Sequence, residues 1–193
     1  MHATVDPFGG DTEIFVRVES SENPDPYRKS TGAGEGSRKS GPSTAENMAG
    51  NWVKNRDNTW SFNSYDGEKF TGWGVITDGT RPLYYHFGSD GIMDTGWYYD
   101  PVSKSWYYFS EKADGSNGMM LNGWLQDPKD RRWYYLSEKD GSLLAGWQTV
   151  YYNGKMTWFY FNTVHDGFYG ACQLGGKTPD GYTLNADGSW AGY

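Results

Sequence analysis

Gly96-Trp-Tyr-Tyr-Asp-Pro-Val-Ser-Lys-Ser-Trp-Tyr-Tyr-Phe109 decides the fold of this chain. Aromatic clusters at both ends make good strand formers and poor helix formers, and the middle is turn-like, so the stretch reads as a β-hairpin. Within Trp106-Tyr-Tyr-Phe109 the strand period of two sets Trp106 and Tyr108 on one face and Tyr107 and Phe109 on the other.

The pattern recurs along the chain. Gly-Trp stands at Gly72-Trp73, Gly96-Trp97, Gly123-Trp124 and Gly146-Trp147, and each is followed by an aromatic block: Tyr84-Tyr-His-Phe87, Trp106-Tyr-Tyr-Phe109, Trp133-Tyr-Tyr-Leu136 and Trp158-Phe-Tyr-Phe161. A degraded earlier copy pairs Trp52 with Trp60-Ser-Phe-Asn63. Asp-Gly and Asn-Gly pairs such as Asp90-Gly91, Asn117-Gly118 and Asp140-Gly141 bound the blocks and supply the positive φ of tight turns. One hairpin alone is marginal in water, so the units are expected to stack and bury their aromatic faces on one another. The fold class is therefore all-β: a repeat array of β-hairpins stacked as an elongated β-solenoid and preceded by a flexible linker.

Composition agrees. The 193 residues allow one ordinary domain or two small ones. Aliphatic residues are scarce, while 10 Trp, 16 Tyr and 9 Phe supply the apolar surface, and 27 Gly argue against helices. All the tryptophans lie at or beyond Trp52. Residues 20–47 lack Leu, Ile, Val, Met, Phe and Trp and are rich in Ser, Gly and Pro, the composition of a linker. Before them, Thr12-Glu-Ile-Phe-Val-Arg-Val-Glu19 alternates like a strand, so residues 1–19 read as the remnant strand of an upstream domain and 48–193 as the repeat module. A net charge of −7 with no basic run makes nucleic acid or membrane an unsuitable partner, and a neutral or cationic ligand a suitable one. Cys172 is the single cysteine, which excludes an intrachain disulfide and reads as a small apolar filler.

At this point the residues resemble a known family. Gly-Trp, a short gap, an aromatic block and Asp-Gly-x-Met, seen most fully in Tyr84-Tyr-His-Phe-Gly-Ser-Asp-Gly-Ile-Met93 followed by Thr95-Gly-Trp97, resemble the choline-binding or cell-wall-binding repeat of Gram-positive surface proteins, autolysins and phage lysins. The tail Lys177-Thr-Pro-Asp-Gly-Tyr-Thr-Leu-Asn-Ala-Asp-Gly-Ser-Trp190 is similar to the segment that often ends such arrays. The resemblance implies aromatic cages between neighbouring hairpins, each made by the Trp of Gly-Trp, the first residue of the block and the second Tyr of the next block. Carried onto this chain, the cages are Trp97 with Trp106 and Tyr135, Trp124 with Trp133 and Tyr160, and Trp73 with Tyr84 and Tyr108. Trp52 with Trp60 would need His86 as a third wall and is expected not to bind, and Trp147 with Trp158 has no following block to close it.

Ring faces suit a quaternary ammonium, which donates no hydrogen bond and is held through the ring quadrupole. The implied function is a non-catalytic module that attaches a secreted protein to a bacterial surface through choline or phosphocholine groups of teichoic acids. Two other readings fit the same residues: a carbohydrate-binding array that stacks sugars of cell-surface or host glycans on the rings, and a protein-binding adhesin module. The rings also suit a solenoid core that binds nothing. The chain shows no Gly-x-Ser-x-Gly, His-Glu-x-x-His or Cys-x-x-Cys, and its acidic residues sit mostly in Asp-Gly turns, so no catalytic residues, metal or cofactor are expected. His86 reads as a polar replacement in an aromatic block, and His165 precedes the Asp166-Gly167 turn.

Overall fold

The computed structural model describes residues 41–192. The strand expected over 12–19 and the linker as far as residue 40 lie outside them. Five antiparallel hairpins follow one another: β2 (Gly50–Lys54) with β3 (Trp60–Ser64), β4 (Gly72–Thr77) with β5 (Pro82–Phe87), β6 (Gly96–Asp100) with β7 (Ser105–Phe109), β8 (Gly123–Gln126) with β9 (Trp133–Leu136), and β10 (Gly146–Tyr152) with β11 (Lys155–Phe161). We call them units one to five. A short pair, β12 (Gly176–Lys177) with β13 (Thr183–Leu184), ends the array. Residues 41–47, read from sequence as the end of the linker, are part of the fold. Gly41–Thr44 form a 3-10 turn, and β1 (Glu46–Asn47) pairs in parallel with β4.

Each hairpin has two unlike faces, and register fixes which is which. In unit three Trp97 lies opposite Tyr108 and Tyr99 opposite Trp106, giving a forward face, while Tyr98 opposite Tyr107 and Gly96 opposite Phe109 give a rear face. The forward face of each unit packs on the rear face of the next. Phe62 meets Tyr85 and Phe87, Trp73 meets Tyr107 and Phe109, Tyr108 meets Tyr134 and Leu136, and Trp124 and Tyr135 meet Phe159 and Phe161. Hence the core is a line of aromatic layers rather than one centre.

Backbone bonds set the distance between layers. After each aromatic strand the chain returns through a turn, and one residue of that return donates its N–H to the preceding unit. Met93 donates to the Trp60 carbonyl, Met120 to Tyr84, Leu143 to Trp106, Cys172 to Trp133 and Trp190 to Trp158, all at 2.7–2.8 Å. The next residue along bonds back to its own unit: Asp94 to His86, Leu121 to Tyr108, Leu144 to Tyr135 and Gln173 to Tyr160. A backbone group left unpaired between stacked layers would cost about as much as a lost hydrogen bond, so this alternation makes the stack specific.

The same residues form a second spine. A Cβ placed on Gly118 would lie 2.1 Å from Met93 Sδ, one on Gly141 2.6 Å from Met120 Cε, and one on Gly170 2.7 Å from Leu143 Cδ2. Each turn glycine thus seats the return residue of the unit before it. Cys172 continues the row, its Sγ 3.1 Å from a Cβ on Gly188, and burial pushes its thiol up to about 12, which fits the filler role.

Two outcomes follow. Gly118 has φ +76 with Met93 against it, whereas Gly115 has φ +90 and open space around it. Gly118→Ala is expected to lower unfolding stability in urea by about 2–4 kcal/mol and Gly115→Ala by only about 1 kcal/mol, because both strain the backbone but only the first overpacks. Equal losses would show that the seat is not tight. The second concerns Glu138, whose Oε1 is buried without a hydrogen-bond partner among the described residues and whose carboxyl is pushed up to about 7 by burial. Its contribution to stability is full below its unfolded value of 4.5 and is lost as pH rises through about 7. Glu138→Gln is expected to flatten the stability profile across that window and to raise the urea midpoint at about pH 8; identical profiles for both chains would show a solvated carboxyl.

Candidate functional site

Between units three and four the forward and rear faces do not close completely, and a cleft of about 390 Å³ remains. Trp97 and Trp106 of unit three form one side, and Tyr134 of unit four forms the other. Trp97 is half-buried and Trp106 is exposed. Trp97 stands edge-to-face against Tyr134 at 5.0 Å and against Tyr108 at 5.1 Å. Asp127 and Asp130 line the same cleft, and a loop after unit five adds His165 and Tyr169, whose rings stack at 4.3 Å.

The third wall is Tyr134 and not Tyr135. In β9, Tyr135 lies opposite Trp124 and so points forward, where it is completely buried against Phe161. Alternation by one residue decides this. The same displacement applies throughout. Trp124 and Trp133 stand at 6.4 Å and nearly perpendicular, but Phe159, not Tyr160, faces Trp124 at 5.1 Å. Tyr160 points forward to Trp147 at 5.4 Å. Trp73 faces Tyr107 at 4.9 Å, while Tyr108 belongs to the Trp97 cleft side, and Tyr84 shares the forward face of Trp73. Trp52 faces Tyr85 at 5.0 Å in place of His86, which lies beside Trp73, bonds Asp94 at 2.6 Å and stacks on Tyr98 at 4.1 Å.

The notches also differ in closure. Trp124 is 1% exposed, because Phe159, Phe161 and Val150 fill the space before it. Trp73 is 8% exposed, and the N-terminal segment adds Ala45 to its cluster. Trp97 and Trp106 keep solvent-facing surface. Sequence reasoning missed the rim residues His165 and Tyr169, since they come from a loop two units further along and carry no local signal.

One electrostatic device accompanies the cleft. Asp127 is buried, and its two oxygens work separately: Oδ1 accepts from Lys129 N at 2.7 Å and caps its own turn, while Oδ2 accepts from Trp97 Nε1 at 2.5 Å. Asp100 does the same for Trp73, taking Val102 N at 2.8 Å and the indole N–H at 3.2 Å. In unit five Val150 holds the corresponding place, and Trp124 Nε1 is buried with no hydrogen-bond partner among the described residues. Tyr134 donates to Asp130 at 2.6 Å, and burial followed by that bond holds its phenol well above the usual tyrosine range, so it remains a neutral ring wall. The cleft therefore offers π faces and two carboxylates, which suits a cation with apolar substituents.

Asp127→Ala leaves the Trp97 and Lys129 N–H groups without their acceptor and is expected to cost about 1–3 kcal/mol in urea unfolding, with red-shifted Trp emission. Asp127→Asn keeps one acceptor oxygen and sets its NH2 against the other N–H, so it is expected to recover only part of that loss. Equal losses for the two variants would mean that the retained acceptor does not matter.

Neither a protein-family model nor a curated protein matches the chain. Among solved structures, choline-binding protein F from Streptococcus pneumoniae is 31% identical over 75% of this chain and 48% of its own, with a TM-score of 0.42. CbpJ from Streptococcus pneumoniae TIGR4 gives the same figures, 31%, 75%, 48% and 0.42. The cell wall endolysin from phage Cp-1, complexed with choline, is 23% identical over 83% of this chain and 40% of its own, with a TM-score of 0.41. The chain spans about half the length of the two choline-binding proteins. With its Gly-Trp strands and aromatic blocks paired as hairpins, the chain resembles the choline-binding repeat family.

Proposed function

We propose that this chain is a non-catalytic cell-wall-binding module that attaches a secreted protein to a bacterial surface. In this reading the cleft between units three and four holds the trimethylammonium group of choline or phosphocholine carried by teichoic acid. The observation that carries it is the juxtaposition of Trp97, Trp106 and Tyr134 with the Asp127 and Asp130 carboxylates around one open cleft. A quaternary ammonium meets there negative ring faces, the Asp127 carboxylate and an Asp130 carboxylate shared with Arg132 at 3.8 Å, and no obligatory hydrogen bond to the cation.

Magnitudes fit attachment to a polymer. If each ring contributes about 0.5–2 kcal/mol, free choline binds near the millimolar range, and a wall bearing many such groups supplies avidity through effective concentration. A tight single site is not required.

Titration of intrinsic fluorescence is the test. Choline is expected to perturb Trp emission saturably, and Trp106→Ala or Tyr134→Ala to weaken that response about tenfold or more, the equivalent of one lost ring contact. Tyr135→Phe, on the closed face, is expected to leave the affinity unchanged. A response to oligosaccharides and none to choline would overturn the reading in favour of a sugar-binding array, and silence to both would favour a protein partner.

A further inference from the structure

We infer that the loop of residues 162–170 adds a phosphate subsite to the cleft, in which His165 and Tyr169 receive the anionic end of phosphocholine. The inference rests on the reading of that cleft as a choline site. A volume of about 390 Å³ is that of a pocket for a whole small organic ligand, more than one methylated nitrogen fills. Its lining changes character from one side to the other. Trp97, Trp106 and Tyr134 offer ring faces, whereas His165 and Tyr169 bring an imidazole and a phenol, both able to donate hydrogen bonds.

The loop is longer than the fold needs. In unit four the return turn closes within residues 137–141, where Gly141 N donates to the Ser137 carbonyl, and in unit two Gly91 N reaches the Gly88 carbonyl in the same way. Unit five makes the equivalent bond, Gly170 N to the Asn162 carbonyl at 2.7 Å, only after the whole of 162–170. His165, Gly167 and Tyr169, the loop residues that line the cleft, all lie inside that closure. The long return of unit three, residues 110–118, contributes none of the lining residues. An extension that stacking does not require, laid over a cleft that opens before unit four, points to recognition.

The donors are held in place. Asn162 Nδ2 donates to Asp166 Oδ1 at 3.0 Å and to the Phe168 carbonyl at 3.1 Å, and Val164 N donates back to Asn162 Oδ1 at 3.0 Å. The Arg132 guanidinium lies over the Phe168 ring at 3.3 Å, and the His165 and Tyr169 rings stack with their planes at 14°. Carboxylates that would repel a phosphate are already engaged. Asp166 Oδ1 takes Phe168 N at 3.0 Å, Asp127 takes Trp97 and Lys129, and Asp130 takes Tyr134 and, at 3.8 Å, Arg132. Arg132 thus brings a positive charge beside the loop. The cationic end of phosphocholine then meets rings and its anionic end meets hydrogen-bond donors, a complementarity that sets preference among related ligands.

The experiment is titration of the Trp emission of the full chain with choline, with phosphocholine and with inorganic phosphate, at one pH and ionic strength. Phosphocholine is expected to bind about tenfold more tightly than choline, the worth of one charge-assisted hydrogen bond. His165→Ala is expected to bring phosphocholine down to the affinity of choline, while His165→Gln, which keeps an N–H, retains part of the preference. Choline affinity is expected to stay within about twofold in both variants, which also reports that they are folded. Inorganic phosphate alone is expected to leave the emission unchanged. Equal affinities in the unsubstituted chain, a preference that survives His165→Ala, or a saturable response to phosphate alone would overturn the subsite and leave the choline reading standing. If neither choline nor phosphocholine binds, the cleft reading falls and the subsite with it.

Discussion

The return residues carry the architecture. Met93, Met120, Leu143, Cys172 and Trp190 each give their N–H to the unit before, and the following residue gives its own N–H back to the unit it leaves. This alternation means that no hairpin is placed only by side-chain packing. It fixes the separation between a forward face and the next rear face, and so fixes how far apart the rings on those faces can stand. With the separation held nearly constant, the identity of the facing residues decides whether an interface closes.

That dependence explains why similar pairs of tryptophans have different fates. Before Trp124 stand two Phe rings and Val150, all able to pack, and the indole is sealed at the expense of an N–H without a hydrogen-bond partner among the described residues. Before Trp97 stand Tyr134 and Asp127, a ring tied to a carboxylate and a carboxylate tied to the indole, and neither can move forward to fill the gap. An Asp at this place does two things with one side chain: it ends its own strand with a capped turn, and it fixes the rotamer of the neighbour's Trp. A charge so close to an indole N–H also increases the negative character of the ring face that a cation would meet.

Much of the fold was legible because it follows from short-range rules. The Gly-Trp strands begin at Gly72, Gly96, Gly123 and Gly146, and the blocks end β5, β7, β9 and β11, as the repeat spacing and the strand-forming aromatics require. The site was legible only in half. Trp97 and Trp106 share a strand-pair face, which a period of two within one hairpin determines. The third wall depends on which face of the next hairpin turns back, and the order of residues in Trp133-Tyr-Tyr-Leu136 is compatible with either choice. Here Tyr135 aligns with Trp124 and both point onward, leaving Tyr134 behind. The rim from His165 and Tyr169, the docking of Gly41–Asn47 on β4 and the turn that brings Asp180 to Trp147 arise from contacts between distant segments, which no local pattern encodes.

The row of side chains seated on turn glycines carries a chemical liability. At two places its members are the thioethers of Met93 and Met120, pressed on Gly118 and Gly141 where even one carbon has no room. Conversion to the sulfoxide adds an oxygen and a strong dipole to side chains that already press on the turn backbone of the next unit. Oxidative damage would therefore part the layers at the middle of the array, on either side of unit three, and leave the rungs built from Leu143 and Cys172 intact.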